Sequence, residues 1–228
     1  MDYAEKIKAL LAKAASTPHD AERDSFTEAA ERLMVKWGVD DAMLAAATGN
    51  NKADQIEQRR YHVPGTSGAL LAELVGAIVA PAVAPVRTLF TPGRPYWWAI
   101  GYPDDLARIE LYAPKIMDQA RYAWRTHLHD MRGIGWGYSD GERRRARIAF
   151  LTGFANAVHI RLAAMFTAET EATSGAELVL RDRSDEVNAH VDALGYGKSR
   201  GRILGDAYAF RQGDKAGSEA DLSAGALA

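Results

Sequence analysis

The N-terminal segment constrains the fold of this chain most strongly, because it predicts two amphipathic helices that fold back on each other. In the first helix, apolar residues such as Ile7 and Leu10 recur on one face at helical spacing. Thr17 and Pro18 predict the cap and first residue of a second helix, and Gly38 predicts its end. Neither helix can bury its apolar stripe alone, so the pair must pack on itself and on the rest of the chain.

The segment also carries a pattern of specific residues: a Lys-Ile-x-x-Leu-Leu-x-x-Ala start, a Ser/Thr-rich turn, and an end with Leu-Met and a glycine. The residues that form it are Lys6, Ile7, Leu10, Leu11, Ala14, Thr17, Ala29, Leu33, Met34 and Gly38. This pattern resembles the N-terminal signature of an uncharacterised protein family of actinobacteria, their phages and mobile elements. A weaker likeness to a companion C-terminal α+β domain runs through the stretches AFLTGF, AELVLRDRSDEVNAHV and GDAYAFRQGDKAG. The resemblance implies no catalytic residue.

Composition restricts the function classes. The 228 residues are 47% hydrophobic and 25% charged, as in a compact globular protein. The chain has no cysteine, which excludes disulfides, thiolate catalysis, zinc fingers and iron–sulfur clusters. A formal net charge of −2 gives no overall attraction to nucleic acid or acidic membranes, so any such surface must be local. With no signal peptide and no apolar run of about 20 residues, we expect a cytoplasmic protein of a bacterial host, without a membrane partner.

Beyond the hairpin, the hydrophobic pattern predicts an α+β protein with a small, mostly antiparallel sheet packed with several long helices. Strands are predicted at 55–63, 86–90, 96–100 and 176–180. Helices are predicted at 69–80, from Pro103 with a kink or break at Pro114, from Ser139 with Glu142 completing a capping box, at 184–194 and at 206–211.

The same pattern divides the chain into units. The helical hairpin is assigned to residues 1–45 and a linker rich in small and polar residues to 46–54. The main α+β domain covers 55–215. A tail over 216–228 consists of small and polar residues and is predicted to be disordered.

Motifs that could carry enzymatic chemistry are incomplete. The segment 195–199, Gly-Tyr-Gly-Lys-Ser, ends like a phosphate-binding loop, but Asp192 occupies the position where that loop needs its first glycine. His127 and His129 are two apart on a helix, so they point in different directions and cannot share a metal ion. The sequence therefore predicts no catalytic residue, no metal site and no cofactor.

Basic clusters are the strongest remaining functional signal. Arginines crowd the first turns of the helix after Ser139, where the helix dipole disfavours cations. Two adjacent tryptophans alternate on a strand, so one of them faces away from the core and could stack on a base. The candidate nucleic-acid-binding residues are Arg143, Arg144, Arg145, Arg147, Lys198, Arg200, Arg202, Trp97 and Trp98. The competing interpretation is a solvated helix end paired with Asp140 and Glu142, with both tryptophans buried.

The leading prediction is a non-enzymatic binding or regulatory protein of phage or mobile-element type, with nucleic acid as its ligand. Two alternatives stay open. One is a protein–protein interaction module that targets a host protein through the hairpin. The other is an unrecognised hydrolase or nuclease that works through carboxylates. The sequence leaves open the oligomeric state and whether the basic clusters converge in space.

Overall fold

A computed structural model describes residues 3–49, 55–133, 137–196 and 206–222. Its α-helices are α1 (Tyr3–Ser16), α2 (Asp20–Thr48), α3 (Gly68–Leu74), α4 (Pro103–Gly133), α5 (Asp140–Ala172), α6 (Ala176–Ala193) and α7 (Ala207–Ser218). Its strands are β1 (Glu57–His62), β2 (Arg87–Phe90) and β3 (Tyr96–Gly101). The predicted α+β fold, with an N-terminal helical hairpin and a small antiparallel sheet, is confirmed.

The helical hairpin consists of α1 and α2, but α2 is longer than predicted. It continues through Gly38 to Thr48, where Gly49 caps it with a left-handed φ of 69°. The prediction that Gly38 ends the helix is wrong, because Val39 and Ala42 carry its buried stripe onward against α6. The helix therefore passes residue 45, where the predicted linker begins, and residues 50–54 of that linker lie outside the described residues.

The sheet has the strand order β1-β3-β2, with both pairings antiparallel. The predicted hairpin of β2 and β3 is confirmed. Arg60 of β1 and Leu89 of β2 both lie opposite Trp98 in the central strand. One face of the sheet packs on the main core, where Trp97 is fully buried and stacks with Tyr61 at 4.7 Å between ring centroids.

The helix predicted over 69–80 is present in modified form. After α3, the chain continues as a π-helical turn, Val75–Val79, and a 3₁₀ turn, Ala80–Ala82. Gly76 of the π-helical turn lies against the ring of Trp97, so a larger residue there would have to displace that ring. The π-helical turn therefore packs against the buried face of the sheet at Trp97.

Helix α5 is the centre of the helical layer. It packs closely on α7, where a side chain at Gly213 would overlap the carbonyl oxygen of Phe150. An 18-residue window of α5 has a mean hydropathy of 1.4. This apolar stretch is longer than any predicted from the sequence. By length and composition it could cross a membrane, but 50% of the window is buried inside the fold, as is usual for a core helix.

Three further local predictions need correction. Residues 176–180 form the first turns of α6 instead of a strand, because Ala176 and Leu180, four apart, face the buried stripe of α2. Of the two alternatives predicted at Pro114, the break is wrong, because α4 runs continuously from Pro103 to Gly133, and the kink stays a prediction.

The third correction concerns the tail. The predicted disorder from residue 216 is wrong as far as 222, since α7 extends to Ser218 and Ala220 and Leu222 are buried. Arg161 of α5 donates a hydrogen bond to the carbonyl of Gly217 at 3.3 Å and helps hold this segment. Residues 223–228 lie outside the described residues.

A buried ion network lies where α2, α4 and α6 meet. Asp105, Arg108 and Arg183 are 0%, 2% and 1% exposed. The Asp105 carboxylate pairs with Arg108 of the same helix and with Arg183 of α6, the latter at 3.0 Å. The guanidinium of Arg108 also contacts Gly38. Removing one member would leave an unpaired buried charge, so the network fixes α4 relative to α6, and α2 packs against it through Gly38.

Candidate nucleic-acid interface

One face of the sheet is only partly covered. Side chains alternate along a strand, so Tyr96, Trp98 and Ile100 of β3 share the face opposite to Trp97. Helix α6 covers Ile100, which is fully buried in a cluster that includes Val187. Tyr96 and Trp98 are not part of this cluster under α6 and are half-buried.

An arginine lies over both uncovered rings. The guanidinium of Arg60 is 5.5 Å from the Trp98 ring centroid and 5.7 Å from that of Tyr96, within cation–π range. The two rings meet edge to face at 6.4 Å and 82°. We name this surface the open sheet face and define it by Arg60, Tyr96, Trp98, Arg87 and Leu89, whose side chains share it by strand register.

The charge of Arg60 is not neutralised within the described part of the chain. Its neighbour Arg59, on the other face, forms ion pairs with Glu57 at 2.8 Å and Glu110 at 3.1 Å. Arg60 is exposed and forms no ion pair with any described carboxylate. Its guanidinium instead lies over the two aromatic rings. The guanidinium therefore presents an uncompensated positive charge beside two aromatic rings.

A groove of about 730 Å³ adjoins Trp98 between β2 and the end of α6. Tyr196, 48% exposed, lies just after α6 and lines this groove. The other polar and aromatic residues along it include Gln58, Arg87, Thr88, Trp98 and Asp192. Trp98 therefore shares this groove with charged groups of both signs.

The structure separates the two predicted tryptophans. Trp98 lies on the open sheet face, whereas Trp97 is 0% exposed. The assignment of Trp97 as a ligand-contacting residue is therefore wrong. The indole of Trp97 instead fills the core between Tyr61 and Gly76.

The predicted arginines at the start of α5 are mostly on the surface. Arg143, Arg144 and Arg145 are exposed, whereas Arg147 is half-buried and its Nε is buried without a hydrogen-bond partner. Arg147 is therefore less available to a ligand than its neighbours.

Local carboxylates neutralise only part of this charge. Arg143 pairs with Asp140 at 3.3 Å. Glu142 instead accepts hydrogen bonds from the backbone N–H and the hydroxyl of Ser139, at 2.9 and 2.6 Å, and these bonds lower the pKa of Glu142. The interpretation of a fully paired helix end thus holds for Arg143, while Arg144 and Arg145 form no ion pair with a described carboxylate.

Lys198, Arg200 and Arg202 lie outside the described residues. The chain reaches this segment from Tyr196 in the groove and leaves it at Asp206, the cap of α7. Asp206 lies near Tyr138, just before α5: burial raises the pKa of Tyr138, and the negative charge of Asp206 raises it further. In the sequence, the three basic residues therefore stand between a residue of the groove and the cap of α7.

Sequence reasoning missed Arg60, Arg87, Tyr96 and Tyr196. The alternation of β1 could have placed Arg60 on one face with Gln58 and His62. The linear pattern does not show that Arg60 pairs with Trp98, because the two residues are 38 positions apart in the chain. Arg60 could therefore be assigned to a face but not to a partner.

A second polar cavity, of about 470 Å³, lies beside the buried ion network and is lined by Asp41, Tyr102, Asp104 and Arg183. Burial raises the pKa of Asp41, and the nearby charge of Asp104 raises it further. Arg183 is held by Asp105 and stacks on the Tyr102 ring at 4.2 Å. Within the described ranges, no group of three or more His, Cys, Asp or Glu side chains is placed to hold a metal ion. The cavity is therefore bordered by α2, α4 and α6.

Comparison with known proteins supports the N-terminal resemblance at a coarse level. Residues 3–41, which cover α1 and α2 as far as Asp41, match the family DUF2786, described as a protein of unknown function. The comparisons with curated proteins and with solved structures found no match. The molecule is thus an α+β protein whose N-terminal hairpin is similar to a domain of an uncharacterised family. The open sheet face lies outside the matched segment.

Proposed function

We propose that this protein is a non-enzymatic nucleic-acid-binding protein that uses the open sheet face as its contact surface. We propose a phage or mobile-element setting for it, on the basis of the resemblance carried by its hairpin. The observation that carries the proposal is the position of the Arg60 guanidinium over Tyr96 and Trp98.

This arrangement supplies both contacts that a nucleic acid needs. An arginine without a carboxylate partner attracts phosphate, and each phosphate contact releases counterions from the nucleic acid. Aromatic rings on a sheet accept stacked bases, each worth about 1–3 kcal/mol by alanine substitution. Arg87, also exposed and without an ion pair to a described carboxylate, adds a second cation on the same face.

The start of α5 supports the same function from a second position. Arg144 and Arg145 are exposed there and form no ion pair with a described carboxylate, although the charge of Arg145 helps to lower the pKa of Glu142. A nucleic acid long enough to reach both surfaces would contact the open sheet face and the N-terminal end of α5. This geometry explains how a chain with net charge −2 could bind a polyanion locally.

Fluorescence polarisation with labelled single- and double-stranded DNA and RNA of about 12 nucleotides tests the proposal. Titrations at about 50 mM and about 200 mM salt give the salt slope, for which about 0.7 to 0.9 per phosphate contact is expected. Arg60→Ala and Arg87→Ala should each weaken binding and reduce the slope by about one contact.

Arg125→Ala provides the matched control, since Arg125 is exposed on α4 and does not line the groove. Equal losses for Arg60→Ala and Arg125→Ala would reject the open sheet face as the site. If the wild-type protein shows no saturable binding at the lower salt, nucleic acid is not its ligand, and the hairpin becomes the bait in a search for a host protein.

A further inference from the structure

We infer that the groove beside Trp98 holds one unpaired nucleobase and that Asp192 selects bases with adjacent N–H donors, guanine foremost. The inference rests on the nucleic-acid-binding function proposed above and names the ligand of that same site: a single strand that contains guanine.

The position of Trp98 points to an unpaired base. Its ring is half-buried, with Leu89 beside it across the strands and Tyr196 along the same groove. A base inside a duplex is stacked and paired, so its flat face cannot reach a ring that lies in a groove. A base of a single strand can turn into the groove and stack on Trp98 with no pairing energy to lose.

The position of Asp192 points to recognition of the base edge. Asp192 lies in the last turn of α6, where the helix dipole disfavours a negative charge. It is exposed, and its carboxylate has no hydrogen bond or ion pair with any described residue. The helix dipole thus disfavours the charge of Asp192, and the other charged residue of the groove is Arg87. A hydrogen-bond donor of the ligand would stabilise this carboxylate.

The two walls of the groove define the orientation of the strand. The carboxylate of Asp192 repels phosphate and belongs to the helical wall, whereas Arg87 attracts phosphate and belongs to β2. The backbone of the strand therefore follows the arginines of the sheet, and the base edge turns towards Asp192.

Base chemistry then sets the order of preference. A carboxylate has two acceptor oxygens, and guanine offers the matching pair of adjacent donors, N1–H and the N2 amino group. Cytosine and adenine offer an amino group beside a ring acceptor. Uracil and thymine offer a single N–H flanked by two carbonyl oxygens that repel the carboxylate. A good bidentate pair discriminates by about 5- to 150-fold against the wrong base.

The test compares oligouridine of about 12 nucleotides with the same strand carrying one central guanosine or one central inosine, which lacks the N2 amino group. Binding is followed by polarisation at about 50 mM salt. The wild-type protein should bind the guanosine strand about 5- to 150-fold more tightly than oligouridine, with inosine in between. Asp192→Asn should abolish this preference while binding oligouridine at least as tightly as the wild type.

Asp185→Asn is the matched control, because Asp185 is an exposed aspartate of the same helix outside the groove. It removes the same charge and should leave the guanine preference unchanged. Trp98→Ala should weaken single-strand binding by about 5- to 150-fold, whereas Trp98→Phe retains a ring and should lose much less. Thermal melting of each variant verifies that the fold is retained.

The outcomes separate this inference from the proposed function. Nucleic-acid binding without a base preference, or a preference that survives in Asp192→Asn, overturns the inference and leaves the proposed function standing. Equal affinity for duplex and single strand overturns the groove as a site for an unpaired base. No binding of any strand overturns both.

Discussion

Gly38 of α2 lies directly against the guanidinium of Arg108 of α4. A Cβ atom at position 38 would be 2.6 Å from Cζ of Arg108, which is too close for any side chain. Arg108 has little freedom to withdraw, since it is 2% exposed and pairs with the fully buried Asp105. The missing side chain of Gly38 thus allows α2 to approach α4 closely.

Gly38→Ala should lower the free energy of unfolding by about 1–3 kcal/mol, the usual cost of overpacking a filled site. Urea denaturation measures the change. Gly133→Ala is the control, because no atom lies within 4 Å of a Cβ there, and it should be neutral or stabilising by up to about 1 kcal/mol. Equal effects of the two substitutions would show that the contact with Arg108 does not constrain the hairpin.

The same residue shows where prediction from sequence reached its limit. The hydrophobic periodicity correctly predicted two hairpin helices and the strands of the β2–β3 pair, since these signals are local. The start predicted for the second helix, with Thr17 as cap and Pro18 as first residue, is wrong, because α2 begins at Asp20 with His19 as its cap. A glycine after Trp37 has the pattern of a helix end, but its role depends on Arg108, which lies 70 positions away in the chain. Tertiary contact here overrides the local signal, as it does for residues 176–180 in α6.

The candidate site could be predicted only in part from the sequence, because strand alternation is a local signal and burial is not. Alternation predicts that Trp97 and Trp98 face opposite ways, but not which of them the core buries. That choice depends on Gly76 lying against Trp97 and on α6 covering Ile100 while leaving Trp98 accessible. Arg60 joins the site only through strand pairing, so linear patterning gave no reason to select it.

The close contact between α5 and α7 gives a second stability prediction. A Cβ at Gly213 would overlap the carbonyl oxygen of Phe150, and backbone cannot move aside as a side chain can. Gly213→Ala should therefore separate the helices and destabilise the protein by at least about 1–3 kcal/mol. Hydrogen exchange should show faster exchange over α7 and the segment to Leu222. Unchanged protection of that segment would mean that α7 does not depend on the close approach.

The arginines at the start of α5 provide a prediction about salt dependence. Arg144→Ala combined with Arg145→Ala should lower the slope of log affinity against log salt by up to about two phosphate contacts. The guanine preference should remain, because neither residue lines the groove. Arg143→Ala should have a smaller effect, since Asp140 already pairs with Arg143. A double variant with wild-type affinity and slope would exclude this helix end from the interface.

The buried imidazole of His127 predicts how stability depends on pH. The ring is 8% exposed, stacks on Phe150 at 5.0 Å and lies 3.3 Å from the Tyr138 hydroxyl through Nε2. Burial lowers the pKa of His127 below its ordinary value of 6.5, and the charges of Asp130 and Asp206 oppose this effect only in part. The folded protein therefore favours the neutral ring.

The sign of the effect follows from proton binding. Between the lowered pKa of the folded state and 6.5, the unfolded chain binds more protons at this site than the folded protein. Stability should therefore fall as pH decreases through the window below 6.5, and the contribution from His127 should be constant at higher pH. Thermal melting from about pH 7.5 to about pH 5.5 covers this range.

His127→Phe removes the titrating group and retains an aromatic ring against Phe150, although the contact with the Tyr138 hydroxyl is lost. Its Tm should decrease less between about pH 7.5 and about pH 5.5 than that of the wild type, so that the two curves converge towards acid pH. His129→Gln is the control, because His129 is exposed and its substitution should leave the wild-type slope unchanged. Parallel curves for His127→Phe and the wild type would show that the imidazole titrates alike in the folded and unfolded chain.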